Sequence, residues 1–245
     1  MNASLFVTCV VDQFYPEVGE STVRVLRRLG VTVDFPQSQT CCGQPAYNSG
    51  FLSDAKPLAH NFLETFENAD AIVIPSGSCA AMIRVFYPDL FDDEPKIASR
   101  MRELSAKTFE FTEYLVDHLG VSEIPGSDNA SSTLSVTYHE GCHLRRELGV
   151  TTQPRKLIRA LDSVDLLEMG QADVCCGFGG MFSVKYPDIS AGMLSDKIRN
   201  IDESGANAVV SCDSTCLMQI SGGLEQTGMN TRAIHIAQIL DEAMQ

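Results

Sequence analysis

The chain has 245 residues, 44% hydrophobic and 20% charged, enough to build one large domain or two small ones around a substantial core, which excludes a disordered protein. A net charge of −14, with no cluster of five or more Lys and Arg, excludes a surface for nucleic acid or an anionic membrane and leaves proteins or small molecules as partners.

Met1 to Cys9 carries no basic region, and the apolar run that follows is broken by Asp12 and Gln13, so neither a signal peptide nor a membrane span is expected and the protein is placed in the cytoplasm. A strand is read near Leu5 to Cys9, then a helix from Glu17 to Leu29, with Val18, Val25, Leu26 and Leu29 at helical spacing and Gly30 as its stop. Val31 to Phe35 reads as a second strand leading to the Cys41-Cys42-Gly43-Gln44-Pro45 turn. Asp54 suits a helix N-cap, with Ala59, Phe62, Leu63 and Phe66 on one face, and the strand Ala71 to Ile74 delivers Cys79. Arg100 to Leu119 reads as one long helix closed by Gly120, and residues 121–133 as a linker. The pattern then repeats: a strand from Leu134 to Tyr138, a helix around Pro154 to Leu161, a strand near Val164 to Leu167, the Cys175-Cys176 turn, a helix from Ile189 to Ile201, and a strand from Ala208 to Ser211. Alternation of strand and helix predicts an α/β fold of two pseudo-repeated Rossmann-like halves, 1–120 and 134–245, with mostly parallel sheets and sites at the carboxyl ends of strands.

The nine cysteines carry the chemistry. In a reducing compartment they read as metal ligands or redox thiols, and their odd number argues against complete disulfide pairing. Cys9, Cys41, Cys42 and Cys79 in the first half are echoed by Cys142, Cys175, Cys176, Cys212 and Cys216 in the second; Cys9 and Cys41 lie 32 positions apart, Cys142 and Cys175 lie 33 apart, and Pro75 stands where Cys212 has its counterpart. Thiolates are soft ligands for iron–sulfur clusters, zinc or cuprous copper. Five thiolates exceed a tetrahedral zinc site, so the second set suits a polynuclear cluster. Adjacent cysteines in a strand point to opposite faces, so each pair must lie in a turn; Gly43 and Gly177 supply it, and Gly179 with Gly180 exposes backbone N–H groups that offset cluster charge. The first set is left open between a smaller cluster, a zinc ion and no metal. A zinc-stabilised assembly subunit and a thiol oxidoreductase working through Cys41-Cys42 or Cys175-Cys176 are the competing readings.

Two motifs are discounted. His139-Glu140-Gly141-Cys142-His143 spells a zinc-protease string, but it leaves a strand and contains Gly141, so its histidines are read as supporting residues, with His143 placed to move protons. Gly177-Phe178-Gly179-Gly180 lacks the glycine spacing of a dinucleotide site. Arg145, Arg146 and Lys185, near the cysteine segments, read first as solvated charges and second as binders of a carboxylate substrate.

Cys41-Cys42-Gly43-Gln44-Pro45, Pro75-Ser76-Gly77-Ser78-Cys79, Tyr138-His139-Glu140-Gly141-Cys142-His143 and Cys175-Cys176-Gly177-Phe178-Gly179-Gly180 together resemble the cysteine-rich CCG domain family, which includes the catalytic B subunit of heterodisulfide reductase and the iron–sulfur subunits of glycolate oxidase and anaerobic glycerol-3-phosphate dehydrogenase; the likeness is greatest to members serving lactate utilisation. The resemblance implies an oxidoreductase subunit of a multi-component system that oxidises L-lactate, a 2-hydroxy acid, to pyruvate. It further implies a ferredoxin-like iron–sulfur partner, a third small subunit, and activity only in their company. It implies a non-cubane [4Fe-4S] cluster on Cys142, Cys175, Cys176, Cys212 and Cys216, although three residues separate Cys212 from Cys216 where the family pattern has two.

Overall fold

A computed structural model of the chain describes residues 1–126 and 133–245. In chain order the first half holds β1 (Asn2–Leu5), α1 (Cys9–Phe14), α2 (Pro16–Arg28), β2 (Thr32–Asp34), α3 (Gln44–Asn48), α4 (Leu52–Phe66), β3 (Ile72–Ile74), α5 (Gly77–Ala81), α6 (Pro95–Ser105), β4 (Thr108–Glu110) and α7 (Phe111–Glu113), with π-helical turns at Met82–Phe86 and Tyr114–His118. The second holds β5 (Leu134–Tyr138), α8 (Cys142–Arg146), α9 (Gln153–Arg159), β6 (Val164–Leu166), α10 (Met181–Lys185), α11 (Pro187–Ser204), β7 (Ala208–Ser211), α12 (Ser214–Thr227), β8 (Arg232–His235) and α13 (Ile236–Ala243).

The strands form two four-stranded parallel sheets, ordered β2-β1-β3-β4 and β6-β5-β7-β8, so the halves share one topology. In each, the first and third strands lie centrally and the order reverses between them, the place where open α/β sheets carry their sites. The central β3 and β7 are apolar and fully buried, as strands covered by helices on both faces require.

Several elements depart from the sequence reading for identifiable reasons. The first strand ends at Leu5 rather than Cys9, because Thr8 turns the chain through a positive φ of 73° and Cys9 opens α1 instead. Asp54 lies within the first turn of α4 and Phe51 occupies the cap position; the apolar face of Ala59, Phe62, Leu63 and Phe66 is buried as expected. The long helix expected over Arg100 to Leu119 is in fact α6, then β4, then the short helical turns ending at His118. Thr108 to Glu110 pairs in register with Ile72 to Ile74 and completes the first sheet, and this edge pairing outweighs the helical spacing of the flanking residues. Of the expected linker, residues 127–132 lie outside the described residues, whereas Ile124 is 4% exposed and packs into the largest core cluster.

That core joins the halves. It runs from Val25, Leu26 and Val73 to Val136, Val210, Ile236 and Leu240 without interruption. At its margin the buried carboxylate of Asp241 on α13 accepts from Arg24 Nε (2.7 Å), Arg28 Nη1 (2.9 Å) and Ser21 Oγ (3.0 Å) on α2. Among the described residues no helix is long and apolar enough to cross a membrane.

Candidate metal centre

The two cysteine turns are built alike. Gly43 (φ 76°) and Gly177 (φ 87°) both adopt the left-handed conformation, and each N–H points at the sulfur two residues earlier, Cys41 or Cys175, at 3.4 Å. Each glycine also lies against the following long helix. A Cβ on Gly43 would stand 3.2 Å from Leu58 Cδ1, and one on Gly177 would stand 2.6 Å from the carbonyl oxygen of Ser190. The turns therefore set the Cys-Cys pairs close against α4 and α11.

In the first set, Cys9 Sγ and Cys41 Sγ are 3.5 Å apart and Cys42 Sγ and Cys79 Sγ are 3.3 Å apart. In the second, the Cys142 thiol interacts with Cys175, and Cys176 with Cys175 and Cys216. All are free cysteines. Separations of this size far exceed a disulfide bond of about 2.05 Å and approach the edge, about 3.7 Å, of a tetrahedron with metal–sulfur bonds of about 2.3 Å. Donation from Cys42, then Cys9, holds the Cys41 thiol well below the usual thiol range, and donation from Cys142, then Cys176, does the same for Cys175. Each set thus carries one sulfur predisposed to be the thiolate a soft metal requires.

These eight sulfurs line one cavity of about 170 Å³ between the halves. Its floor is a shared polar joint: Asp213, the N-cap residue of α12, accepts from Ser76 Oγ (2.8 Å), Ser78 Oγ (2.7 Å) and Ser78 N–H (3.0 Å), Ser76 being the N-cap residue of α5. Asp213 thus ties together the N-cap residues of two equivalent helices at the cavity wall.

Cys212 is not with them. It is 1% exposed, absent from the cavity wall, and packed in the inter-half core with its sulfur 3.4 Å from Tyr138 Oη. Of the five cysteines expected to act together, Cys142, Cys175, Cys176 and Cys216 line the cavity and Cys212 lies in the core. Cys212 follows β7 and faces the core, and the chain turns at Asp213 into α12 before Cys216 reaches the cavity.

The second set has two buried polar neighbours, of which the sequence reading passed over Lys197. Lys197 is fully buried, donating to the carbonyls of Gln171 (2.8 Å) and Ala172 (3.2 Å), and burial pushes its ammonium down. His139, read as a supporting residue, is also fully buried, and burial, with Lys197 second, pushes its imidazole down to about 3. Lys197 was legible only through the repeat, as a cation on the buried face of α11. The protease string is excluded, because residues 139–141 are not helical and Glu140 is engaged by Arg155 at 2.7 Å. Arg145 pairs with Asp173 and Glu140, and neither it, Arg146 nor Lys185 lines the cavity. His143 does line it, with Nδ1 3.5 Å from Glu147. Gly179 and Gly180 form part of the wall, Gly179 exposed and Gly180 partly so.

Comparison with known proteins agrees with this duplicated plan. The cysteine-rich domain, CCG, matches twice, at residues 3–84 and 136–221. The chain is 46% identical over 241 residues to lactate utilization protein A of Shouchella clausii, and 44% identical over 241 residues to that of Bacillus subtilis, covering 98% of this chain and 99% of each relative. Lactate utilization protein A of an Exiguobacterium species is 45% identical over 245 residues, covering 99% of this chain and 98% of the relative. A crystal structure of a hypothetical protein from Helicobacter pylori superposes with a TM-score of 0.68 at 10% identity, over 99% of this chain and 49% of that one, a likeness of fold alone. Two matched copies, full-length relatives and paired cysteine turns of one design together make this chain a member of the cysteine-rich CCG domain family, in its lactate utilization protein A branch.

Proposed function

We propose that the chain is the iron–sulfur redox subunit of a multi-component L-lactate oxidation system, taking electrons released from the 2-hydroxy acid and passing them to a ferredoxin-like partner subunit. The observation that carries this reading is the convergence of eight thiols, in two sets of four, on one cavity between the halves. Soft sulfur donors, one per set already favoured as thiolate, fit iron–sulfur clusters or zinc and do not fit hard cations. Cys9, Cys41, Cys42 and Cys79 would hold one group, and Cys142, Cys175, Cys176 and Cys216 the other. An iron–sulfur cluster, when bound, supplies one-electron storage at a potential set by its ligands and surroundings.

The chain's own residues then act as a frame. The Gly43 and Gly177 N–H groups donate to sulfur and lower its charge density, and Lys197 places a buried cation beside the second set. The described residues that line the cavity include no Lys or Arg, and Asp213 contributes a carboxylate. A lactate carboxylate would find no cationic partner there, which supports a role in moving electrons rather than in binding the acid.

The test is the variant Cys176→Ser, assayed with the ferredoxin-like and third subunits. Loss of roughly half the iron together with lactate oxidation is expected; full retention of both contradicts the proposal. One observation favours a second reading: with Cys212 withdrawn, each set offers the four thiolates of a structural zinc site. That reading predicts colourless protein with about two zinc ions per chain.

A further inference from the structure

The two cavity halves differ in one place where the repeat makes the difference legible. Phe6 stands three residues before Cys9, and His139 three residues before Cys142. On the long helices the buried residues Ala55, Phe62, Leu63 and Phe66 of α4 match Ser190, Lys197, Ile198 and Ile201 of α11, and Gly43 and Gly177 touch the equivalent residues Ala55 and Ser190. Lys197 is therefore the counterpart of Phe62. In the first half Phe6 and Phe62 pack edge to face with centroids 5.4 Å apart, an ordinary aromatic pair. In the second half the same two positions hold histidine and lysine, both buried without remainder.

Hydrocarbon would fill that space at no polar cost, so two buried polar groups there call for partners. Lys197 has them in the carbonyls of Gln171 and Ala172. His139 is less well served: neither ring nitrogen forms a hydrogen bond of good geometry among the described residues, and the Ala172 carbonyl beside the ring already accepts from Lys197. One ring nitrogen instead lies within 4.8 Å of the sulfurs of both Cys176 and Cys216, near enough for a metal centre to bridge all three with small side-chain rotations.

We infer that His139 supplies a nitrogen ligand to the metal centre held by Cys142, Cys175, Cys176 and Cys216, making the second site a mixed cysteine and histidine site and leaving the first site all-cysteine. The inference rests on the reading of the thiol sets as metal sites. Its consequence is functional asymmetry. Among the described residues the first half has no counterpart of the buried Lys197 cation beside its thiols, and a cation near a cluster raises its potential, so an electron shared between the sites rests on the second.

The experiment uses the full chain, purified without oxygen and labelled with ¹⁵N only at histidine. Pulsed EPR is recorded on the reduced protein or, if the native metal is diamagnetic zinc, on the Co²⁺-substituted form. A hyperfine coupling of the size of a directly bound nitrogen is expected in the wild type and in His143→Asn. It should vanish in His139→Phe and in the double variant His139→Phe with Lys197→Phe, which installs the aromatic pair of the first half. Metal content should be retained in all of these, and the potential of the second centre should fall in the double variant, which removes the Lys197 cation. Absence of the coupling, its persistence in His139→Phe, its loss in His143→Asn, or only the weak coupling of a hydrogen-bonded nitrogen would overturn the inference. The wild-type spectrum requires no variant to fold. Failure of the underlying reading is distinct: a wild type that holds neither native metal nor Co²⁺ has no metal centre for His139 to join.

Discussion

Glycine at the cysteine turns separates a general requirement from a particular one. Both Gly43 and Gly177 need a left-handed backbone, which costs other residues about 1–2 kcal/mol. Only Gly177 also abuts a backbone carbonyl, that of Ser190, at a distance where a Cβ cannot stand; at Gly43 the obstacle is the terminal methyl of Leu58. Gly177→Ala should therefore cost several kcal/mol, roughly 3 or more, and displace Cys176, while Gly43→Ala should cost only about 1–2 kcal/mol. Chemical denaturation of the two variants checks the order, and equal costs would argue against this difference in backbone approach. At this scale the sequence was most informative about thiols and glycines, whose chemistry is specific to type. It was least informative about His139, Lys197 and Cys212. Their roles depend on which way a side chain faces, and the first two become readable only when the halves are laid against each other.

Short helices in this chain are held by caps that repeat between the halves. Glu110 at the end of β4 caps α7, accepting from the N–H groups of Thr112 (2.8 Å) and Glu113 (3.2 Å), and His235 at the end of β8 caps α13, its Nδ1 accepting from Ala237 N–H at 3.2 Å. Burial pushes the His235 imidazole down from the ordinary 6.5 to about 4. The unfolded chain therefore takes up a proton on this residue at a pH where the folded chain does not, and stability present above about 6.5 is lost progressively as the pH falls toward about 4. His235→Asn keeps a capping acceptor and removes the titration, so the difference in unfolding free energy between variant and wild type should shift in the variant's favour across that window. A pH-independent difference would contradict the assignment. The strands that carry these caps also mark where pattern reading failed. β4 is only three residues long, its edge position is set by pairing with β3, and nothing in the helical spacing from Arg100 to Leu119 announces it. The strongly apolar β3 and β7, buried on both faces, were legible from their sequences to within a residue.

At the scale of the molecule, the site exists only because two similar halves are docked. One contact near it, Asp213 with Ser76 and Ser78, aligns the helix ends beneath the cavity. Another, Asp241 with Arg24, Arg28 and Ser21, joins α2 to α13, elements that contribute no residue to the cavity wall. Asp241→Ala should lower stability by about 1–3 kcal/mol, less than a fully buried pair because both arginines are partly exposed, and leave metal content unchanged. Asp213→Ala should cost a similar amount, about 1–3 kcal/mol, by leaving its donors unpaired, but should also reduce metal retention. Equal effects of the two variants on metal content would show that the cavity does not depend on this joint. The duplication itself was legible from cysteine spacing; the meeting of both sets on one cavity was not, because spacing within each half says nothing about how the halves face each other.

The central claim is that eight thiols in two sets of four form paired metal sites in a redox subunit. The most direct measurement is iron, zinc and acid-labile sulfide content, with absorption and EPR spectra, on protein purified without oxygen. Brown protein with iron and sulfide at both sets, roughly half of it lost in Cys176→Ser and unchanged in Cys212→Ser, is the predicted result. Colourless protein containing zinc alone, or no metal, would contradict the account.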